Sequence, residues 1–115
     1  MDKVLKIVKH FCDNGKPVVA ISKGVALLIA TGSIKGKECT AFPFMQQEVT
    51  LGGGIWTPCK VDGCVIDGNI ITGQCFLGQY AFMREFFRQL DSEVEGGFGR
   101  KISHAGGNPC LIGDA

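Results

Sequence analysis

Ser22 and Lys23 are the two residues whose types and adjacency offer chemistry. A serine hydroxyl attacks acyl carbon when a base within hydrogen-bond reach takes its proton. A lysine serves as that base only where burial strips its charge. Before the pair stands the short apolar run Pro17-Val18-Val19-Ala20-Ile21, and after it Gly24 and then Val25-Ala26-Leu27-Leu28-Ile29. A strand that reverses into a helix within three residues strains the turn residue. It also lifts that side chain off the sheet's carboxyl edge, beside the first amides of the helix. The pattern predicts a nucleophile elbow with Ser22 at its apex and Gly24 in the turn. No Asp or Glu is spaced to orient Lys23, and neighbours on such a turn point apart. The structural alternative is that Ser22 merely caps the helix beginning at Val25, since serine is a favoured N-cap.

Other reactive side chains carry weaker signals. His10 falls in the polar row of an amphipathic segment with Lys3, Lys6 and Lys9, so it is expected to be solvated rather than catalytic. The six cysteines at 12, 39, 59, 64, 75 and 110 form no C-x-x-C pair. Several lie in apolar runs, as free thiols packed as small hydrophobes do in a reducing compartment. No metal site is expected, and nothing in the pattern calls for a cofactor.

The elements that must position the elbow are legible around it. Residues 2–12 repeat apolar side chains at helical spacing and end at Asn14-Gly15, which predicts a helix lying against a sheet. Residues 17–21 read as a strand covered on both faces. Gly32 stands where a helix C-cap is expected. A strand over 38–42 closed by Pro43, a helical turn over 46–51, and strand segments at 55–56 and 61–66 follow. Asp67-Gly68-Asn69 signals a hairpin turn leading into a last core strand at 70–73. Residues 79–90 predict a second amphipathic helix, with Phe82, Met83, Phe86, Phe87 and Leu90 inward and Arg84, Glu85, Arg88 and Gln89 outward. Beyond residue 94 the chain turns glycine-rich, and 94–115 is expected to be a flexible tail.

Composition limits the function classes. The 115-residue chain is 45% hydrophobic and 20% charged, with a net charge of +1, which describes a small folded domain without an electrostatic case for nucleic acid. Its apolar runs fall far short of the ~20 residues of a membrane span, and a cytoplasmic location is expected.

The order GKPVVAISKGVALLIATGSIKGKECTAFP, Gly52-Gly53-Gly54 and VIDGNIITG resembles the DJ-one/PfpI superfamily, of the class I glutamine-amidotransferase-like kind, and within it the plant branch with paired domains. The resemblance implies an α/β fold, a partial flavodoxin-like three-layer α/β/α arrangement with a mainly parallel sheet. That family reads Ala-Ile-Cys-His-Gly at the elbow, where this chain has Ala20-Ile21-Ser22-Lys23-Gly24. The family's nucleophile and adjacent histidine therefore correspond to Ser22 and Lys23. Members also carry an upstream glutamate contacting the nucleophile and a glycine pair supplying oxyanion-hole amides. Residue 1 falls just after that half, so residues 1–93 are expected to be the carboxyl portion of a PfpI-type domain, lacking its N-terminal strands. A central strand with one flank unsupplied is a template for association, which predicts a homo-oligomer or a complementary N-terminal half as partner.

Three functions stay open. One is a catalytically impaired PfpI-type module that binds a partner domain, the reading the lost Cys and His favour. Another is the family's chemistry: glyoxalase III-like conversion of methylglyoxal to lactate, a deglycase-type repair activity or a peptidase. The last is a serine hydrolase built on Ser22.

Overall fold

Each predicted element forms, though several stop sooner or pack otherwise than their patterns imply. The computed structural model describes residues 2–95, and their side chains through residue 91. Helix α1 (Asp2–Asp13) is ended by Gly15 at φ 70°, with the Lys16 amide reaching back to the Phe11 carbonyl at 3.0 Å. Strand β1 (Val18–Ile21) follows, and then a single 3-10 turn over Ser22–Gly24 delivers the chain into α2 (Val25–Thr31). Gly32 at φ 76° closes α2, and the Ser33 amide donates to the Leu28 carbonyl at 3.0 Å, the bond that satisfies an orphan carbonyl in a Schellman end.

The rest is short: β2 (Glu38–Cys39), α3 (Gln46–Leu51), β3 (Ile55–Trp56), β4 (Val65–Asp67), β5 (Ile70–Gly73) and the long α4 (Gln79–Glu95). The main sheet has the order β1-β5-β4, with β1 and β5 parallel and β4 and β5 an antiparallel hairpin. Gly68 turns that hairpin at φ 63°, a conformation closed to most side chains. The small parallel pair β2-β3 joins the main sheet through side chains. The Glu38 amide donates to Asp67 Oδ2 at 2.8 Å, and the Thr40 amide to Thr72 Oγ1 at 2.9 Å. Because Asp67 lies opposite Ile70, these two bonds run β2 in the same direction as β5. They also explain why the strand expected over 38–42 ends at Cys39: its neighbour offers side-chain acceptors instead of a backbone ladder.

Three layers result. Val25, Leu28, Ile34, Cys39, Val49 and Ile70 form a core between the sheet and the helices α1–α3, and Val18 and Ala20 of β1 face it. Cys64, Ile66, Ile71, Ala81 and Phe82 form a second core under α4, and Val19 and Ile21 face that one. Both faces of β1 are thus covered, as expected, yet all four of its residues stay half-buried. The reason is its position at the edge of the sheet. Val18 donates its amide to the Asn69 carbonyl at 2.9 Å, and parallel pairing alternates, so Val19 and Ile21 turn their backbone groups outward. Among the described residues no strand takes them.

Three packing expectations are corrected. Helix α1 packs most extensively on α2, with Val8 and Cys12 on the first core, but none of its residues is buried, and Val4, Ile7 and Phe11 of its apolar stripe face outward. The segment over 61–66 is a turn at 61–62 that becomes strand only at Val65. In α4, Phe82 is buried and Met83 and Phe86 pack on the second core as expected, but Glu85 and Gln89 are buried and Phe87 is exposed against expectation. Arg88 holds Glu85 through two bonds of 2.9 and 2.8 Å, and Gln89 Nε2 bridges Glu85 Oε2 to the Gly68 carbonyl. Burial of the carboxylate is tolerable because it is fully partnered. The tail expected over 94–115 begins inside α4, and from residue 96 on it lies outside the described residues. No helix among the described residues is long and apolar enough to cross a membrane.

Candidate functional site

The elbow is built by a conflict between sheet and helix. Ile21 is still extended at φ −129°, ψ 154°, and Gly24 is already helical at φ −61°, ψ −21°. The reversal falls on Ser22, at φ 53° the one non-glycine residue with positive φ among the described residues. A serine held there costs on the order of 1–3 kcal/mol. It persists because β1 is fixed in register against β5, with Ile21 opposite Gly73, and α2 is fixed by the buried Val25 and Leu28.

Ser22 does not cap α2. Gly24 occupies the N-cap position, and neither it nor Ile21, which precedes the 3-10 turn, makes a side-chain cap bond. The Ser22 side chain is half-buried and accepts or donates no hydrogen bond among the described residues. Lys23 is exposed, and its Nζ lies 5.6 Å from the ring centroid of Phe44, a cation–π contact. Phe44 in turn packs edge-to-face on Phe42 at 5.0 Å. The two candidate residues are thus adjacent in sequence but not brought together by a bond. A Cβ at Gly24 would meet nothing within 4 Å, so the outer side of the turn is open.

Phe42 and Phe44 escaped sequence reasoning. Since β2 runs with β5, both lie at the carboxyl end of the sheet, the end at which Ser22 stands. The available signal was a Phe-Pro-Phe triplet directly after a strand parallel to β1. Open α/β sheets place ligands at this end. The other polar groups gather elsewhere. His10 contacts Asn14 and Lys16 just before β1, about 13 Å of strand from Ser22. Asp67 and the Glu85–Gln89 pair cluster with the β4–β5 turn, also at the amino end of β1.

The thiols are quiet. Cys12, Cys39 and Cys75 are free thiols. Burial, reinforced by Asp67, pushes the Cys39 thiol up to about 11, and burial also raises Cys12 against a Ser33 hydrogen bond. Cys75 donates a long 3.7 Å bond to the Val61 carbonyl. Among the described residues no three His, Cys, Asp or Glu side chains come together as a metal site would require.

Residues 1–89 match the sequence profile of the DJ-1/PfpI family. The chain is 40% identical over 94 residues to Protein DJ-1 homolog D of Arabidopsis thaliana, a match covering 81% of this chain and 24% of that protein. It is 33% identical over 90 residues to a protein named as a deglycase from Pyrococcus abyssi, covering 77% of this chain and 52% of the relative. The chain therefore spans about half the length of that archaeal relative and about a quarter of the plant one. Its fold resembles the ThiJ/PfpI domain protein of Brachyspira murdochii, with TM-score 0.68 and 23% identity over 76% of this chain and 49% of that one. It also resembles a two-domain protein of Anabaena variabilis with DJ-1/ThiJ/PfpI-like and ferritin-like domains, with TM-score 0.69 and 24% identity over 76% and 24%. With the profile matched through residue 89 and relatives above 30% identity across three quarters of its length, this chain belongs to the DJ-1/PfpI family.

Proposed function

We propose that this chain is a catalytically impaired DJ-1/PfpI-type segment over residues 1–93 that acts in the cytoplasm by docking a partner rather than by turning over a substrate. The observation that carries this reading is the elbow itself. Its backbone strain is kept, but the apex is a serine whose hydroxyl has no base bonded to it among the described residues, and Lys23 is drawn onto Phe44. A neutral hydroxyl without a general base is a poor nucleophile. The partner is a complementary strand-and-helix half laid along the open edge of β1. Val19 and Ile21 offer it backbone donors and acceptors, and the exposed Val4, Ile7 and Phe11 of α1 offer it apolar surface.

A second reading has one observation in its favour: an archaeal relative is named as a deglycase. On that reading the chain performs glyoxalase III-like, deglycase or peptidase chemistry. A third, a Ser22-dependent hydrolase, would appear as organophosphonate labelling at Ser22. The deciding experiment follows methylglyoxal loss with the purified chain and its Ser22→Ala and Ser22→Cys variants. Wild type is expected to match Ser22→Ala at the uncatalysed rate. Turnover by wild type that Ser22→Ala abolishes would overturn impairment, and turnover by Ser22→Cys alone would assign the loss to residue 22.

A further inference from the structure

Charge on the outer side of α1 is sorted by position around the helix. At about 100° per residue the stripe of Val4, Ile7 and Phe11 spans about 60°, with Val4 45%, Ile7 60% and Phe11 41% exposed. Lys3 lies about 40° from Ile7 and Lys6 about 100°, both on the stripe's open side. The acids of the helix fall farther round, Asp13 about 120° and Asp2 about 140° from Ile7, and Asp13 is held by Lys9 at 3.0 Å. Lys16 continues the basic border past the end of the helix, its Nζ 5.1 Å from the Phe11 ring centroid. Helix α2, against which α1 packs, carries no charged residue. Among the described residues no ion pair takes Lys3, Lys6 or Lys16.

We propose that the partner lays an acidic amphipathic helix on this stripe, its apolar side over Val4, Ile7 and Phe11 and its carboxylates against Lys3, Lys6 and Lys16. The inference rests on the proposed docking function and names the chemistry of that partner. A strand added beside β1 in an α/β sheet brings helices into the layers that cover it, and α1 occupies one of those layers. A helix fits because its own apolar residues recur at spacings of three and four, the spacings that separate Val4, Ile7 and Phe11. An acidic border is required because a basic one would set like charges across the contact, and an apolar one would desolvate the lysines without a partner. An anionic membrane offers the same charge. It is disfavoured because Val8 and Cys12 are committed to the first core, which leaves a twelve-residue helix only a narrow stripe to bury among lipids.

Fluorescence anisotropy of labelled synthetic peptides titrated with the full chain tests it. Two peptides of about 20 residues, long enough to hold a helix, share one leucine seam and differ only in bordering it with Glu or with Lys. The Glu peptide should bind about tenfold or more tighter than the Lys peptide at low salt, and the preference should shrink as salt rises. Ile7→Asp should weaken binding of the Glu peptide by about tenfold or more, and the Lys3→Glu/Lys6→Glu double variant should reverse the preference. All three side chains are exposed, and unchanged far-ultraviolet circular dichroism confirms that the variants fold. Equal binding of the two peptides, or binding of neither, overturns the proposal. Sedimentation with phosphatidylserine vesicles in the absence of peptide binding overturns it equally, assigning the stripe to anionic lipid. Methylglyoxal turnover by a chain that still prefers the Glu peptide would refute catalytic impairment and leave the partner's chemistry standing.

Discussion

Ser22→Gly tests the elbow without reference to any substrate. At φ 53° a serine Cβ crowds its own backbone, at a cost of roughly 1–2 kcal/mol that glycine does not incur. Glycine gives back about 0.4–1 kcal/mol through the greater freedom of the unfolded chain. Nothing else of consequence is lost, because the hydroxyl has no hydrogen-bond partner among the described residues. The net expectation is a stabilisation of about 0.5–1 kcal/mol, or a rise in Tm of about 2–6 °C for a folded unit of this size. Urea unfolding and scanning calorimetry on wild type, Ser22→Gly and Ser22→Ala read it. Alanine keeps the strained Cβ and should stay within about 0.5 kcal/mol of wild type, since only an unbonded hydroxyl is removed. A Ser22→Gly variant less stable than wild type would refute the strain argument. A loss of more than about 1 kcal/mol in Ser22→Ala would show that the hydroxyl is bonded, which would undo the reading of an unassisted serine.

Other perturbations separate tertiary bonds from surface decoration. Arg88→Ala strands Glu85, whose side chain is 3% exposed, and should cost about 3 kcal/mol in urea unfolding. Asp13→Ala, which removes the exposed Lys9–Asp13 pair at 3.0 Å, should cost at most about 0.5 kcal/mol. Thr72→Val leaves the buried Thr40 amide without its 2.9 Å acceptor; a loss of about 1–3 kcal/mol and faster hydrogen exchange at Thr40 are expected. The Cys39 thiol is raised from 9.0 to about 11, so its contribution to stability is present below pH 9 and declines as pH rises toward 11. Cys39→Ala should flatten that alkaline decline in the urea midpoint, and an unchanged slope would refute the assignment.

The sequence by itself determined the local devices, because each is written in neighbouring residues. The apolar run before Ser22, the helix formers after Gly24 and the glycine at 32 specify strand, bend and helix without outside help. Asp67-Gly68-Asn69 likewise specifies its hairpin, which Gly68 turns at φ 63°. Tertiary structure alone decided which way ambiguous surfaces face. Helix α4 carries apolar residues on two opposite sides, and periodicity cannot choose between them. The choice fell to Gln89, which reaches a carbonyl 21 residues away at Gly68, and to the Arg88 clamp that makes a buried Glu85 affordable. Lys23 was no better determined by its sequence neighbour. Its direction comes from Phe44, which β2 carries to the elbow only because Asp67 and Thr72 hold that strand in place. Bonds between residues distant in sequence have no period and no local signature, so they become visible only once the chain has closed on itself.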